Sequence, residues 1–202
     1  MLTTKEAIAA RRSIRKFKPD PIPEDQLAEL LDAARLAPSG SNSQPWRFKI
    51  VRDAAAKAGL MAAAHQQKFI AAAPVVLVCC VDIPGYIDGT LSTVQALSAS
   101  GDLPSGMAAE IRRRTEELRR SPRAEIAARI AFNMGIAGEH IALRALDFGL
   151  GTCWVRALDE QKIRELFNWG ENLFVAALMP VGYPAESPKP RPRRTLPEII
   201  LE

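Results

Sequence analysis

The apolar positions of the chain alternate between runs of helical period and runs of strand period. Near the start, Thr3 or Thr4 precedes a short helical stretch through Arg11 that carries Ile8, and a threonine hydroxyl suits its N-cap. Pro19 to Pro23 mark a turn, after which Leu27, Leu30, Leu31 and Ala34 recur at three-to-four spacing and predict a helix from Glu24. It ends where Pro38, Ser39 and Gly40 cannot continue it, and residues 38–45 form a loop. From Trp46 to Val51 the period becomes two, with Trp46, Phe48 and Ile50 alternating against Arg47 and Lys49, as in a half-buried strand. Val75 to Val81 is continuously apolar and largely β-branched, the pattern of a central strand covered on both faces, so Cys79 and Cys80 point opposite ways.

The longest periodic run extends from Arg123 to Phe148. There Ile126, Ile130, Met134, Ala137, Ile141, Ala145 and Phe148 form one stripe of a long helix. Gly135 and Gly138 lie inside it at a cost of roughly 1 kcal/mol each relative to alanine, which predicts close approach of another helix. Gly149 and Gly151 end this helix, and Thr152–Val155 and Leu173–Val181 read as strands on either side of a short helix, Glu160–Phe167. Residues 84–123, rich in Gly, Pro, Ser and Arg, read as an excursion from the core that borders a pocket, with no element assigned. Four short strands among long helices predict an α+β sandwich, and the lack of repeats or low-complexity linkers predicts one domain over residues 1–202.

Composition narrows the class. With 48% hydrophobic and 25% charged residues among 202, the chain has the make-up of a globular protein with a sizeable core. The apolar run Ile70–Val81 is broken by Pro74 and is too short to span a bilayer, and the first residues lack the apolar segment of a signal peptide, so a cytoplasmic protein is expected. Three cysteines, two of them adjacent, suit neither a disulfide framework nor a zinc site.

The net charge, 27 − 23 = +4, is a poor argument for nucleic-acid binding, but its distribution carries information. Arg112–Arg114, Arg119, Arg120 and Arg123 are laced with Glu116 and Glu117 at helical spacing, as on a solvated helix face. The clusters at the two ends, Arg11, Arg12, Arg15, Lys16 and Lys18, and Lys189, Arg191, Arg193 and Arg194, are interrupted by Ser13 and by Pro190 and Pro192. Such clusters suit a grip on a compact anion, the alternative being two disordered basic tails, which Leu196, Ile199, Ile200 and Leu201 oppose at the C-terminus. With only 6% aromatic residues, the chain lacks the interleaved aromatics of a nucleic-acid-binding surface, the reading that a basic regulator would need.

Several chemistries can be set aside. His65 and His140 have no second ligand at metal spacing, and His140 sits in the long helix as a packing residue. There is no G-x-S-x-G elbow, no Walker A and no G-x-G-x-x-G after a strand; Gly149-Leu150-Gly151 precedes one instead. Three segments remain. Arg11-Arg12-Ser13-Ile14-Arg15 offers guanidinium forks, Arg11 and Arg15 sharing a helical face, and a hydroxyl for a phosphate; Pro38-Ser39-Gly40-Ser41-Asn42-Ser43-Gln44-Pro45-Trp46 offers turned amides and two carboxamides for a heterocycle edge; Arg191-Pro192-Arg193 offers a second pair of forks.

In that order, and with Gly149-Leu150-Gly151-Thr152-Cys153-Trp154 between the last two, these segments resemble the FMN-dependent nitroreductase family from about Thr4 to Ile200. The resemblance implies an α/β/α sandwich with a central, mostly antiparallel sheet and a long helix at the core of a homodimer. It also implies FMN held between subunits and residues 185–202 forming an arm that reaches across. Under it, Arg11, Arg12 and Ser13 are ligands of the FMN phosphate and ribityl chain, with Arg191 and Arg193 the second side of that grip. Arg15 lies near the flavin pyrimidine with Lys68 as companion, where cations stabilise the charge of the reduced ring. Pro38, Ser39, Gly40 and Asn42 form a wall from the partner subunit, Gln44 makes a polar contact to the ring or ribityl, and Val155, Arg156 and Ala157 set backbone groups beside N5.

Arg156 departs from the small residue common there, so its guanidinium is expected to border the open flavin face and favour a negatively charged acceptor or nicotinamide, unless it turns to solvent. The implied activity is ping-pong transfer from NADH or NADPH to a nitroaromatic, quinone or similar acceptor, with no side chain as general acid. The alternative within the fold is another reductive or flavin-modifying role.

Overall fold

The computed structural model describes residues 1–201; the last residue of the anticipated arm, Glu202, lies outside them. The elements run α1 (Thr4–Ala10), α2 (Glu24–Arg35), β1 (Trp46–Val51), α3 (Ala54–Ala63), α4 (Phe69–Ala72), β2 (Val75–Asp82), α5 (Ile83–Ser100), α6 (Ser105–Arg119), α7 (Arg123–Arg144), β3 (Gly151–Thr152), α8 (Glu160–Leu166) and β4 (Leu173–Gly182). The four strands form one antiparallel sheet in the order β1-β2-β4-β3. Because β2 lies inside the sheet and is buried along nearly its whole length, its alternate residues feed two cores. Leu77, Cys79 and Val81 join Met179 and Val181 against α2 and α7, while Val76, Val78 and Cys80 join Leu178 against Leu60 of α3, Ile70 of α4 and Ile163 of α8. The result is a helix/sheet/helix sandwich, as the pattern predicts.

The stripe on α7 is the spine of the first core. Ile130, Met134, Ala137 and Ile141 are fully buried, and burial of each of the three larger side chains is worth about 1.5–3 kcal/mol. Phe148 follows a short 3₁₀ turn, Ala145–Phe148, and is only partly buried. At the N-terminus Thr3 caps α1 in a reciprocal capping box with Glu6, whose carboxyl this hydrogen bonding holds below its ordinary value. Among the described residues no helix is long and apolar enough to cross a membrane.

Four expectations need correction. The excursion at 84–123 is a helical hairpin: Asp82 caps α5, Pro84 occupies its first turn, Gly101 ends it at φ 82° and Pro104 caps α6, so these breakers punctuate helices instead of preventing them. A helix at Ala54–Ala63, started by the Asp53 carboxylate, was not anticipated, since an alanine run shows little periodicity. The strand expected at Thr152–Val155 is shorter: β3 ends at Thr152, the Cys153 N–H still donates to Pro180 O at 3.3 Å, and Val155 forms an isolated bridge to Leu178. Finally, the neighbour that Gly138 admits within the chain is a side chain, not a helix. A Cβ on Gly138 would collide with the indole of Trp154, and one on Gly135 would meet nothing within 4 Å.

The cysteines are core residues. Burial pushes the thiol of Cys80 up to about 12 and moves those of Cys79 and Cys153 in the same direction, disfavouring the reactive thiolate. The folded protein is therefore expected to leave all 3 free cysteines unmodified by a thiol reagent at pH 8 and to expose them together on unfolding. Fast labelling of one thiol before unfolding would contradict this burial.

Candidate functional site

The two chain ends meet. After α1 the segment is extended, not helical: Arg11 is the C-cap, Ser13 bridges Thr152 and the Ile14 N–H donates to the Thr152 carbonyl at 2.9 Å. Arg11 and Arg15 therefore do not share a helix face as expected. In an extended segment the period of two places Arg11, Ser13 and Arg15 on one side, with Ile14 buried on the other.

The C-terminal stretch runs back along this segment. Lys18 N–H donates to Tyr183 O at 2.8 Å and Ala185 N–H to Lys16 O at 2.9 Å, and Glu186 Oε1 accepts from the N–H groups of Arg15 at 2.6 Å and Lys16 at 3.1 Å. This antiparallel run hangs the proline-rich arm over the N-terminal arginines. Arg11, Arg12, Ser13 and Arg15 from one end then enclose a pocket of about 190 Å³ with Lys189, Arg191 and Arg193 from the other. Residues of both ends thus line one pocket within a single chain, where the resemblance implies an arm that reaches across to a partner subunit.

Most of the pocket's cations form no salt bridge among the described residues. Arg11 pairs with Glu139 at 3.3 Å, whereas Arg15, Lys189, Arg191 and Arg193 form no salt bridge among the described residues. Glu186 faces the same space, but its Oε1 is already taken by two backbone amides. Arg12 lines the pocket too, although its Nη1 returns to Ala9 O at 2.7 Å and Arg11 O at 2.8 Å, tying down the end of α1. So many convergent donors around so small a space suit a dianionic group with several acceptor oxygens.

A second, larger cleft of about 740 Å³ opens along α7, lined by Phe132, Gly135, Trp154, Arg156 and Phe174 among others. The two spaces are linked through Glu139, which pairs with Arg11 and accepts from Trp154 Nε1 at 3.2 Å. A bulge lies in the cleft wall: Cys79 pairs Ala177 and Cys80 pairs Val175, leaving Ala176 unpaired, and both alanines line the cleft. Beside it, the Val155 N–H and C=O are both bonded to Leu178, each at 2.9 Å, and the Ala157 carbonyl accepts from Gln67 Nε2 at 3.2 Å. The backbone of Arg156 has no backbone partner among the described residues, and its side chain is exposed.

Lys68 is exposed next to Phe69, over whose ring the Arg15 guanidinium sits at 5.9 Å, so those two cations share a neighbourhood. Pro38, Ser39, Gly40, Asn42 and Gln44 lie elsewhere. Their loop is tied by Gly40 N–H to Asn133 Oδ1 at 3.2 Å, by Gln44 N–H to Ser39 Oγ at 2.9 Å and by Gln44 Nε2 to Asn42 Oδ1 at 3.2 Å. Ser41, Asn42 and Gln44 sit at φ 51°, 50° and 46°, a left-handed conformation that non-glycine residues adopt at a cost and that clusters at functional sites. The loop enters β1 at Trp46, opposite Val81, whereas Thr152 beside Ser13 lies opposite Val181, which faces Val75. Val75 and Val81 are separated by about 20 Å at the strand rise of roughly 3.3 Å per residue, so one chain does not bring this loop to the cation pocket.

Sequence reading placed Lys189 in the anion-gripping cluster without giving it a ligand and overlooked Glu186 and Glu139, while Trp154 entered only as part of a motif. Glu186 was legible only as an acid beside a basic stretch, and Glu139 and Trp154 gain their roles from neighbours distant in sequence.

Comparison with known proteins gives the family and the fold. The chain is 33% identical over 201 residues to an NADH dehydrogenase of Thermus thermophilus, covering 100% of this chain and 96% of that protein. The fold is that of the nitroreductase family protein from Streptococcus pneumoniae, with TM-score 0.78 and 22% identity over 99% of this chain and 100% of the other. It also matches NADPH:FMN oxidoreductase from Vibrio harveyi complexed with NAD+, with TM-score 0.77 and 25% identity over 98% of this chain and 76% of that one. With the nitroreductase family pattern matched across residues 8–183, from α1 to the end of the sheet, this chain belongs to the nitroreductase family.

Proposed function

We propose that the protein is an FMN-dependent oxidoreductase that takes reducing equivalents from NADH or NADPH and delivers them to a nitroaromatic, quinone or similar acceptor, donor and acceptor occupying one cleft in turn. The observation that carries this reading is the convergence of Arg11, Arg15, Arg191 and Arg193 from both chain ends on one small pocket. The donor set fits a phosphate: guanidinium forks, a lysine and the Ser13 hydroxyl outnumber the two carboxylates nearby, Glu186, whose Oε1 accepts from two backbone amides, and Glu139, which pairs with Arg11. Bound there, FMN supplies a two-electron carrier that accepts hydride at N5.

The residues' tasks follow from their placement. Arg11, Arg191, Arg193 and Lys189 offset the phosphate charge, Ser13 adds a neutral donor, and Arg12 holds the end of α1 against the pocket. Arg15 and Lys68 put positive potential where a reduced ring gathers negative charge. Of Val155, Arg156 and Ala157, Arg156 lines the cleft, and its peptide groups are free to face a ring.

A homodimer completes the site in this reading. Phe132 on α7 is 73% exposed beside the open position at Gly135, and Leu196, Ile199, Ile200 and Leu201 of the arm are all exposed, so α7 and the arm both offer apolar surface to a second copy. The strained Pro38–Gln44 loop, remote from its own cation pocket, then serves as a wall for the partner's.

The purified protein is expected to be yellow and to lose its flavin absorbance when NADH or NADPH is added without air. A colourless protein whose thermal midpoint does not rise with added FMN would overturn this reading. Assays of both nicotinamides against a panel of nitro compounds and quinones would then identify the acceptor, with parallel-line kinetics expected for the alternating scheme.

A further inference from the structure

One short segment joins the cations of the ring site to its backbone groups. After α3 the chain reverses through His65 and Gln66, both left-handed at φ 54° and 58°, with the Gln66 N–H donating to Met61 O at 3.0 Å. Non-glycine backbone held in this region costs energy and gathers at functional sites. The three residues that follow each meet a different part of the site. Gln67 donates from Nε2 to Ala157 O at 3.2 Å, Lys68 is an exposed cation, and the Phe69 ring lies 5.9 Å from the Arg15 guanidinium. The same Gln67 nitrogen donates to Ala64 O at 2.9 Å, so both hydrogens of the carboxamide are used. Around Arg156 the alternate positions are fixed one by one. Val155 exchanges both backbone hydrogen bonds with Leu178 at 2.9 Å, Ala157 is held by Gln67, and the Asp159 N–H donates to Ala63 O at 2.8 Å. Arg156 between them has no backbone partner among the described residues. A peptide group left free between two pinned neighbours is a preset hydrogen-bonding group.

We propose that Gln67 is a positioning residue of the flavin site, holding the Ala157 carbonyl so that the Arg156 N–H stays turned to the ring. The role rests on the flavoenzyme reading above and adds to it a residue that touches neither the phosphate pocket nor the cleft. With the bridge at Val155 as its only pin, the stretch from Arg156 to Leu158 could swing about that point and give its free N–H to water. The bond from Gln67 supplies the second pin. A donor fixed before the reaction needs no reorganisation as negative charge gathers on the ring, so it lowers the barrier instead of tightening the hold on the nicotinamide. Through Lys68 and the Phe69–Arg15 contact, the same segment keeps cations and donor in one geometry. A carboxylate at position 67 would do the opposite, since it has no hydrogen to give and would face two carbonyl oxygens.

The test uses the full-length protein with and without FMN, as the parent and as Gln67→Met, Gln67→Glu and Gln67→Asn, with amide exchange followed by NMR. In the parent, FMN is expected to slow hydrogen exchange at the Arg156 amide by about tenfold or more, the scale of one hydrogen bond. Gln67→Met keeps the length of the side chain and removes both donors, so most of that protection should be lost. The limiting rate of flavin bleaching by NADH should fall by about tenfold with it, while the NADH concentration giving half that rate changes by less than about threefold. Gln67→Glu should lose more, and Gln67→Asn, with its two donors on a shorter stem, should fall between Gln67→Met and the parent. A merely structural role would lower the thermal midpoint and leave protection and limiting rate in the folded, yellow variants as in the parent. That result overturns the proposal, as does an Arg156 amide that FMN does not protect in the parent. Where Gln67→Met does not fold, parent values in Gln67→Asn overturn it equally. A colourless parent overturns the flavoenzyme reading and this role together, whereas a yellow parent bleached by NADH, with Gln67→Met unchanged, overturns the role of Gln67 alone.

Discussion

Substituting Arg11 and Arg193 together by alanine is expected to weaken FMN binding by about 100-fold or more, read as the flavin dissociation constant at fixed ionic strength. Each charge-assisted hydrogen bond to a phosphate is worth about 1.5–3 kcal/mol, and each 1.4 kcal/mol is tenfold in affinity, so each single change should cost about ten- to 100-fold. Because both guanidiniums line the same 190 Å³ pocket, their effects should not add: the double-mutant cycle is expected to return a coupling energy above the roughly 0.5 kcal/mol seen for independent sites. Arg11→Ala carries a second effect. Glu139, whose Oε1 lies 3.3 Å from the guanidinium, loses its cation and becomes an unpaired negative charge between the pocket and the cleft. Glu139→Gln in the Arg11→Ala background should therefore recover part of the lost affinity. A double variant that binds FMN within threefold of the parent would show that the two chain ends do not share the phosphate.

What was legible in the sequence follows from how far each signal reaches. The α7 stripe, the alternation of β1 and the unbroken run of β2 are local periodicities, and a period fixes which side chains face the core whatever packs there. The opposition of Cys79 and Cys80 was readable for the same reason, and the two thiols do belong to separate cores. Where an element depends on its ends, the reading faltered. Pro84, Gly101 and Pro104 looked like a loop because proline and glycine both break and bound helices, and only the Asp82 cap and the αL geometry of Gly101 show which.

The site divides along the same line. Arg11, Ser13, Arg15, Arg191 and Arg193 could be singled out by residue type, but their meeting depends on the antiparallel run between residues 15–18 and 183–186 and on the Glu186 carboxylate that fastens it. Nothing local in either segment encodes that pairing. Likewise Glu139 has the look of an ordinary helical acid until Arg11 and Trp154 are placed on either side of it.

The two glycines of α7 make the last large effect, because the same residue is kept for different reasons three positions apart. In Gly138→Ala the new methyl group would collide with the indole of Trp154, which Glu139 holds by its Nε1 at 3.2 Å. Overpacking of this kind costs about 1–3 kcal/mol, against a gain of roughly 1 kcal/mol in helix propensity. A lowered urea midpoint is therefore expected, together with a changed near-ultraviolet circular dichroism signal as the indole shifts and a weaker hold on ligands in the adjoining cleft. In Gly135→Ala the methyl group meets nothing within the chain, so the dilute protein should gain about 0.5–1 kcal/mol from propensity alone. If α7 forms the seam between two copies, that methyl group intrudes there, and sedimentation should show dimer dissociating at higher protein concentration than in the parent. An unaltered dimer in Gly135→Ala would place the seam elsewhere than on this face of α7. An unaltered urea midpoint in Gly138→Ala would mean that the indole can leave the helix surface freely, and then Trp154 cannot be a fixed wall of the cleft.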